Sequence, residues 1–445
     1  ARPAQIDVDG LLAQAASRRP LSAGSLVVTL FGDAIMPRGG VIGLCSALAL
    51  AAKGMHVTVL EASEEESDSC STGNAGMIVP SHFVPLAAPG MALYGLKMLL
   101  RKDSPFGFSW PPSLEMAAWA IRFLRASNPA QAERAGPVLR DLNLLSRARY
   151  RELHETLGIE GLRESGLTML CETHHALDEE RGQAERAETL GLRVQVLDKA
   201  ALQREEPQVE IEAVGGVKFL DDASLDPPAF LRAVRSELRR RGAHLEYGCP
   251  ATEFSLGVSR VDAVRTRQGE FPADEFVLAG GVATGELARG LGLRLPLVGG
   301  KGYGFTVAEP PVHLRACAIL VEARVALTPM PAGLRVAGTM ELGARDLRVS
   351  PRRLGGIRAS VRRCLPALQT ARLEDAPVWA GLRPCSPDGL PYLGRTSRWP
   401  NLTLAAGHAM MGLSLGPATG EIVGQIVAGE PTSIPIELLD PDRYA

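Results

Sequence analysis

The sequence predicts an α/β (α+β) protein of two domains: a Rossmann-like domain and a domain built on an antiparallel sheet. Three observations predict it. Residues 25 to 62, "SLVVTLFGDAIMPRGGVIGLCSALALAAKGMHVTVLEA", read as apolar strand, glycine turn, helix, second strand and acid, the outline of a mononucleotide half-fold. A strand, glycine loop and helix recur near the end in "NLTLAAGHAMMGLSLGPATGEIVGQIVAGE". Between them, from Leu297 to about Arg372, short alternating runs such as "YGFTVAE" and "LRVAGTM" signal antiparallel strands rather than βαβ units.

Taken in order, "VIGLCSALALAAK" has helical composition and stops at Gly54, and "HVTVLEA" is a short β-branched strand ending in Glu61. From Pro80 to about Pro137 the chain is rich in proline, tryptophan and methionine, and residues 130 to 163 continue as a charged amphipathic helix, an excursion out of the sheet. "GLTMLCET" and "LRVQVLDK" read as strands of a separate sheet. A turn rich in Asp and Pro then starts a helix that Gly242 ends, and "EFVLAGGVATGELARGLG" runs an apolar strand into paired glycines and another helix start.

At 445 residues the chain can hold two cores, since single cores stop growing at roughly 250 to 300 residues. The formal net charge of −2, with Lys and Arg scattered, offers no basic face for nucleic acid. Seven cysteines lie far apart with no C-x-x-C pair, which argues against a disulfide framework or a zinc site and points to inert thiols in a reducing compartment. No secretory leader and no apolar run of spanning length is present, so a cytoplasmic location is expected. "PLAAPGMALYGLKMLLRKDSPFGFSW" is apolar with basic flanks, which leaves a peripheral contact with the inner membrane face open beside an ordinary core or lid helix.

Chemistry concentrates in four places. Gly40 and Gly43 keep the second and third glycines of the dinucleotide fingerprint, and Glu61 follows Gly43 at nearly the spacing at which an acid meets a ribose hydroxyl. "CSTGNAGMIVPSH", residues 70 to 82, groups small residues with Asn74 where a loop would pass under a bound dinucleotide. "GLRPCSPDGLPYLG", residues 381 to 394, joins Arg383 to a rigid Pro/Asp/Gly loop. The "GHAMMGLSLGPATGE" run offers closely spaced amides at a helix start, suited to an anionic oxygen.

In this order these motifs, with "PLAAPGM", "GKGYGFTV" and the ending "LLDPDRYA", resemble the FAD-dependent D-amino-acid oxidase superfamily, and most closely the bacterial D-amino-acid dehydrogenases, including the branch acting on D-proline and hydroxyproline-like imino acids. The resemblance runs from Val41 to Ala445. It implies a two-domain flavoprotein that binds FAD and oxidises a D-amino or cyclic imino acid, with the hydrogen of the α-carbon passing to the flavin. An electron carrier such as a quinone is the implied acceptor, and no metal is required. On this resemblance Glu61 would hold the FAD ribose, and Gly40 and Gly43 the pyrophosphate. Gly73, Asn74, Ala75 and Gly76 would line the flavin side, Ala251 would meet the adenine, and Gly280 and Gly281 would approach the cofactor from the next strand. His408, Gly412, Leu413 and Ser414 would face the flavin ring, with His408 either catalytic or structural. Arg383 would anchor the substrate carboxylate, with Tyr303 beside it as a shaping group or a core residue. Residues 41–85, 205–300 and 375–445 would then form the FAD-binding domain, and residues 86–204 and 301–374 the substrate domain.

Residues 1–40 depart from the pattern. Arg38, preceded by Pro37, fills the slot of the first fingerprint glycine. Either "LVVTLF" is the first strand and Gly32 to Arg38 an insertion, or "AIMP" is a shortened strand. "LLAQAASRRPLSAGSLVVTLFGDAIMPRGG" resembles instead the N-terminus of the winged-helix repressors of phenylacetate catabolism. We read residues 1–40 as a fused segment joined at Gly39-Gly40, against a divergent turn that tolerates insertion. The competing functional reading is an impaired chain that keeps the fold and does not retain FAD.

Overall fold

The computed structural model describes residues 26–30, 40–64, 69–91, 95, 106–109, 113–159 and 161–445. A six-stranded sheet runs in the order Tyr392–Arg395, Leu402–Ala406, Glu275–Leu278, Leu26–Leu30, His56–Leu60, His244–Glu246. Every neighbouring pair is parallel except Tyr392–Arg395, which turns back along Leu402–Ala406. Leu26–Leu30 takes the interior place, with Val28 opposite Thr58 on one side and Phe276 on the other. "LVVTL" therefore supplies the first strand, because a β-prone run can pair on both edges whatever the turn after it contains. Residues 31–39, which hold the departures from the glycine turn, and residues 1–25 lie outside the described residues.

Helix Val41–Ala52 follows, closed by Gly54 at φ 77°. Helix Gly412–Ala428 lies against it through Gly416, Gly420 and Gly424. A Cβ on Gly420 would stand 2.5 Å from the carbonyl carbon and oxygen of Cys45, so the two backbones approach as only glycine allows. Helix Pro129–Leu157, started by Asn128 accepting from the Gln131 amide, packs on Gly412–Ala428 and shares one buried cluster with both helices. This is the helical excursion, redirected onto the Rossmann-like domain because its buried Leu139, Leu142 and Tyr150 need an apolar partner.

A second sheet has nine strands. Eight run in the order Val378–Cys385, Val298–Val307, Gly333–Leu342, Val325–Met330, Cys317–Leu320, Leu167–Cys171, Gly215–Phe219, Val194–Asp198, and Phe106–Phe108 also pairs with Gly333–Leu342. It is antiparallel apart from two parallel contacts, Cys317–Leu320 with Leu167–Cys171 and Phe106–Phe108 with Gly333–Leu342. Two strands correct the expected domain boundaries. Gly215–Phe219 and Val378–Cys385, assigned from sequence to the FAD-binding segments, pair in this sheet with Leu167–Cys171 and Val298–Val307. An apolar strand carries no local mark of which sheet it joins, so crossings of this kind are invisible in composition.

None of the seven cysteines is in a disulfide; six are buried and Cys70 is half-buried. Among the described residues no helix is long and apolar enough to cross a membrane. Most of the apolar stretch considered for membrane contact lies outside the described residues.

Candidate functional site

Four parallel strands end on one edge of the six-stranded sheet, and residues singled out in the sequence follow each. Leu26–Leu30 leads toward Gly40, His56–Leu60 into Glu61, Glu275–Leu278 into Gly280 and Gly281, and Leu402–Ala406 into His408. The crevice outside such carboxyl ends is where open α/β sheets bind ligands. Gly40 caps helix Val41–Ala52, and Gly43 is buried in its first turn. Among the described residues, no heavy atom lies within 4 Å of where a Cβ on Gly40 or on Gly281 would stand.

Glu61 is 3% exposed. Its Oε1 accepts from the amide and hydroxyl of Ser63, while Oε2 is buried with no partner among the described residues. Burial pushes the carboxyl up to about 7 against these two bonds. The Glu61 carbonyl accepts from the Cys249 amide at 2.8 Å, which brings Ala251, two residues on, to the same end of the sheet. A buried carboxylate oxygen lacking a donor matches the hydroxyl of a ribose, and the open helix N-terminus at Gly40 matches a phosphate. The residues present therefore fit a dinucleotide.

The loop from Ser69 to Gly76 links this edge to the second sheet. Ser71 accepts from the Val41 amide at 3.0 Å, tying the loop to the helix start. Asn74 Oδ1 accepts from the Gly76 amide, which fixes Gly76 at φ 76°, and the Asn74 carbonyl accepts from Arg335 Nη1 across the domains. Ala75 packs half-buried on the cluster around Met77 and Phe83. A Cβ on Gly73 would fall 2.1 Å from the indole of Trp379, so this loop lies directly on strand Val378–Cys385.

On the neighbouring strand Val298–Val307, Gly300, Gly302 and Gly304 stand opposite Arg383, Gly381 and Trp379. The guanidinium of Arg383 leans over Gly302, where a Cβ would be 2.3 Å from Nη1 and Nη2. Its Nη1 donates to the Thr339 carbonyl at 2.8 Å, and no carboxylate pairs with it among the described residues. Thr339 holds that carbonyl from a φ of 71°, a backbone strain for a β-branched residue. Burial pulls the Arg383 pKa below its usual value. A half-buried guanidinium over a glycine floor, with no carboxylate partner among the described residues, has the geometry to receive one.

Four expected residues have structural partners. Tyr303 alternates to the opposite face of the strand from Arg383; its hydroxyl donates to Glu341 and accepts from the Ser350 amide under helix Pro351–Cys364, in the core with Leu354 and Ile357. It does not shape the Arg383 niche. Ser414 is consumed structurally, its Oγ accepting from the Val79 amide and donating to Asn143. Leu413 packs in the core and its carbonyl accepts from Tyr150, so Gly412 to Ser414 can serve a ligand only through first-turn amides. His408 is 4% exposed. Its Nε2 meets Thr419 at 3.0 Å, and burial lowers its pKa to about 3, so the ring is neutral and positioned rather than a proton carrier; Nδ1 has no partner among the described residues. Sequence reading missed Trp379, Arg335 and Thr339, although the matched spacing of three glycines against W-x-G-x-R was visible.

Comparison with known proteins gives the family. Residues 39–426 match the family model described as FAD dependent oxidoreductase. The chain is 33% identical over 417 residues to a D-amino acid dehydrogenase of Paramagnetospirillum magneticum, covering 91% of this chain and 97% of that one, and 32% identical over 416 residues to one of Methylobacterium nodulans, with the same coverage. Glycine oxidase from Geobacillus kaustophilus superposes with a TM-score of 0.72 at 24% identity, over 95% of this chain and 100% of that one. L-proline dehydrogenase from P. horikoshii gives 0.69 at 18%, over 95% and 98%. With FAD as the dinucleotide that the strand ends, Glu61 and the Gly40 helix fit, the chain belongs to the family of FAD-dependent oxidoreductases.

Proposed function

We propose that the protein oxidises D-amino acids, with cyclic imino acids of the D-proline and hydroxyproline kind among its substrates, and that it hands the electrons to a carrier such as a quinone in preference to oxygen. The relatives named D-amino acid dehydrogenase support the reaction class. The observation that carries the reading in this chain is the unpaired Arg383 guanidinium over Gly302.

FAD, when bound, supplies the acceptor for the hydrogen and electron pair leaving the substrate α-carbon. The chain's own residues do the rest. Arg383, held at Nη1 by the Thr339 carbonyl, keeps Nη2 and Nε for a carboxylate and so fixes the carboxylate plane and with it the position of the α-carbon. The tie from Arg335 to the Asn74 carbonyl holds the flavin-side loop against the substrate sheet. His408, neutral and bonded to Thr419, does not take the amine proton, so the substrate reacts as its neutral amine and releases that proton to solvent.

Product analysis tests the proposal. The purified protein should convert D-proline, trans-4-hydroxy-D-proline or D-alanine to the cyclic imine or 2-oxo acid, faster with a soluble quinone than with oxygen alone, and leave the L-enantiomers untouched. Absence of product from every D-compound with every acceptor refutes it. The competing reading, an impaired chain without FAD, is decided by the colour of the same preparation.

A further inference from the structure

We infer that Trp379 is a second substrate-recognition residue, its indole walling the niche opposite Arg383 and its Nε1–H donating to the carboxylate that Arg383 anchors. This rests on the reading of Arg383 as the carboxylate anchor and deepens it.

Register places the two side chains on one face. Trp379, Gly381 and Arg383 alternate along their strand, opposite Gly304, Gly302 and Gly300. The indole leans along the strand, since a Cβ on Gly381 would fall 2.3 Å from its Cζ2 and Cη2. The guanidinium of Arg383 covers Gly302, the direct cross-strand partner of Gly381. Both side chains therefore converge over one glycine pair from opposite ends. Gly73, whose Cβ would stand 2.1 Å from Cε2 of the same ring, closes the indole from the flavin-side loop. Two glycines, Gly73 and Gly381, thus make room for one tryptophan, and a side chain at either would evict it.

The indole Nε1 is buried with no acceptor among the described residues. A buried donor without a partner is costly, and an indole nitrogen can only donate. Beside a half-buried guanidinium with no carboxylate partner among the described residues, this leaves two sets of donors on one sheet face, both matched by a single carboxylate. Packing alone would be served as well by phenylalanine, which carries no unmet N–H.

The test uses the FAD-loaded protein and propionate, a carboxylate that lacks the amine and cannot react. Trp379→Phe should keep the FAD absorption band and melting temperature while raising the propionate Kd by about tenfold to a hundredfold, the worth of a hydrogen bond to a charged group. Arg383→Lys should raise it as well. A Kd within twofold of wild type in W379F, with R383K weakened, overturns the proposal and leaves Arg383 standing. Unchanged binding in both variants overturns the carboxylate-anchor reading beneath it. If W379F does not hold FAD, the wild-type protein answers directly: propionate should move one of its four tryptophan indole N–H resonances, and titration that moves none overturns the assignment.

Discussion

In the FAD-free protein, raising the pH from 5 to 8 should lower the melting temperature, and Glu61→Gln should remove a large part of that fall. Burial pushes the Glu61 carboxyl from 4.5 to about 7 in the folded chain, against the pull of Ser63 and Arg235. Because the folded value lies above the unfolded one, the stability is fully present below about 4.5 and is lost as the pH rises through about 7. At 1.36 kcal/mol per pK this is about 3 kcal/mol, or roughly 3 °C for a chain of this size. FAD should reverse the slope, since a ribose hydroxyl donating to the unpartnered Oε2 favours the charged carboxylate. Scanning fluorimetry of wild type and E61Q from pH 5 to 8, with and without FAD, reads all four curves. Asp222, also pushed to about 7 by burial, contributes a parallel slope that the difference between the two proteins cancels. Parallel curves for FAD-free wild type and E61Q would refute the reasoning.

Other consequences follow from the same geometry. Arg383→Lys should weaken substrate by ~10-fold or more while retaining FAD, because a point charge cannot replace the planar fork. Gly302→Ala should do the same by displacing the guanidinium that lies 2.3 Å from the added Cβ, read as a rise in KM with unchanged FAD content. Gly420→Ala should cost about 1–3 kcal/mol by pushing the C-terminal helix off Cys45, whereas Gly424→Ala, whose Cβ would meet Ala49 at 3.3 Å, should cost much less; melting temperatures compare them. Flavin reduction should show no histidine ionisation between pH 5 and 8, since burial holds His408 at about 3; an inflection lost in His408→Asn would contradict its neutral role.

The Rossmann-like half was legible because its signals are local. Val41–Ala52, Gly54, the strand ending in Glu61 and the His408 turn each announce themselves within a few residues, and the strand order then brings their ends to one edge. "LVVTLF" was readable as a strand by propensity even beside an irregular turn. What stayed hidden depends on register and on pairs distant in sequence. Nothing near Tyr303 says which face of its strand it takes, and a one-residue alternation moved it from the Arg383 niche to the core under Leu354. Ser414 is occupied by Val79 and Asn143, partners hundreds of residues away. Trp379 became visible only once Gly73 and Gly302 were placed beside its strand.

The most direct test is the absorption spectrum of the purified protein before and after anaerobic addition of D-proline, D-alanine and trans-4-hydroxy-D-proline. A flavin band near ~450 nm that bleaches with at least one D-compound and with no L-enantiomer is the predicted result. A protein that stays colourless when FAD is added, or a yellow one that none of these compounds bleaches, would contradict the assignment of Glu61 and the Gly40 helix to FAD or of Arg383 to its substrate.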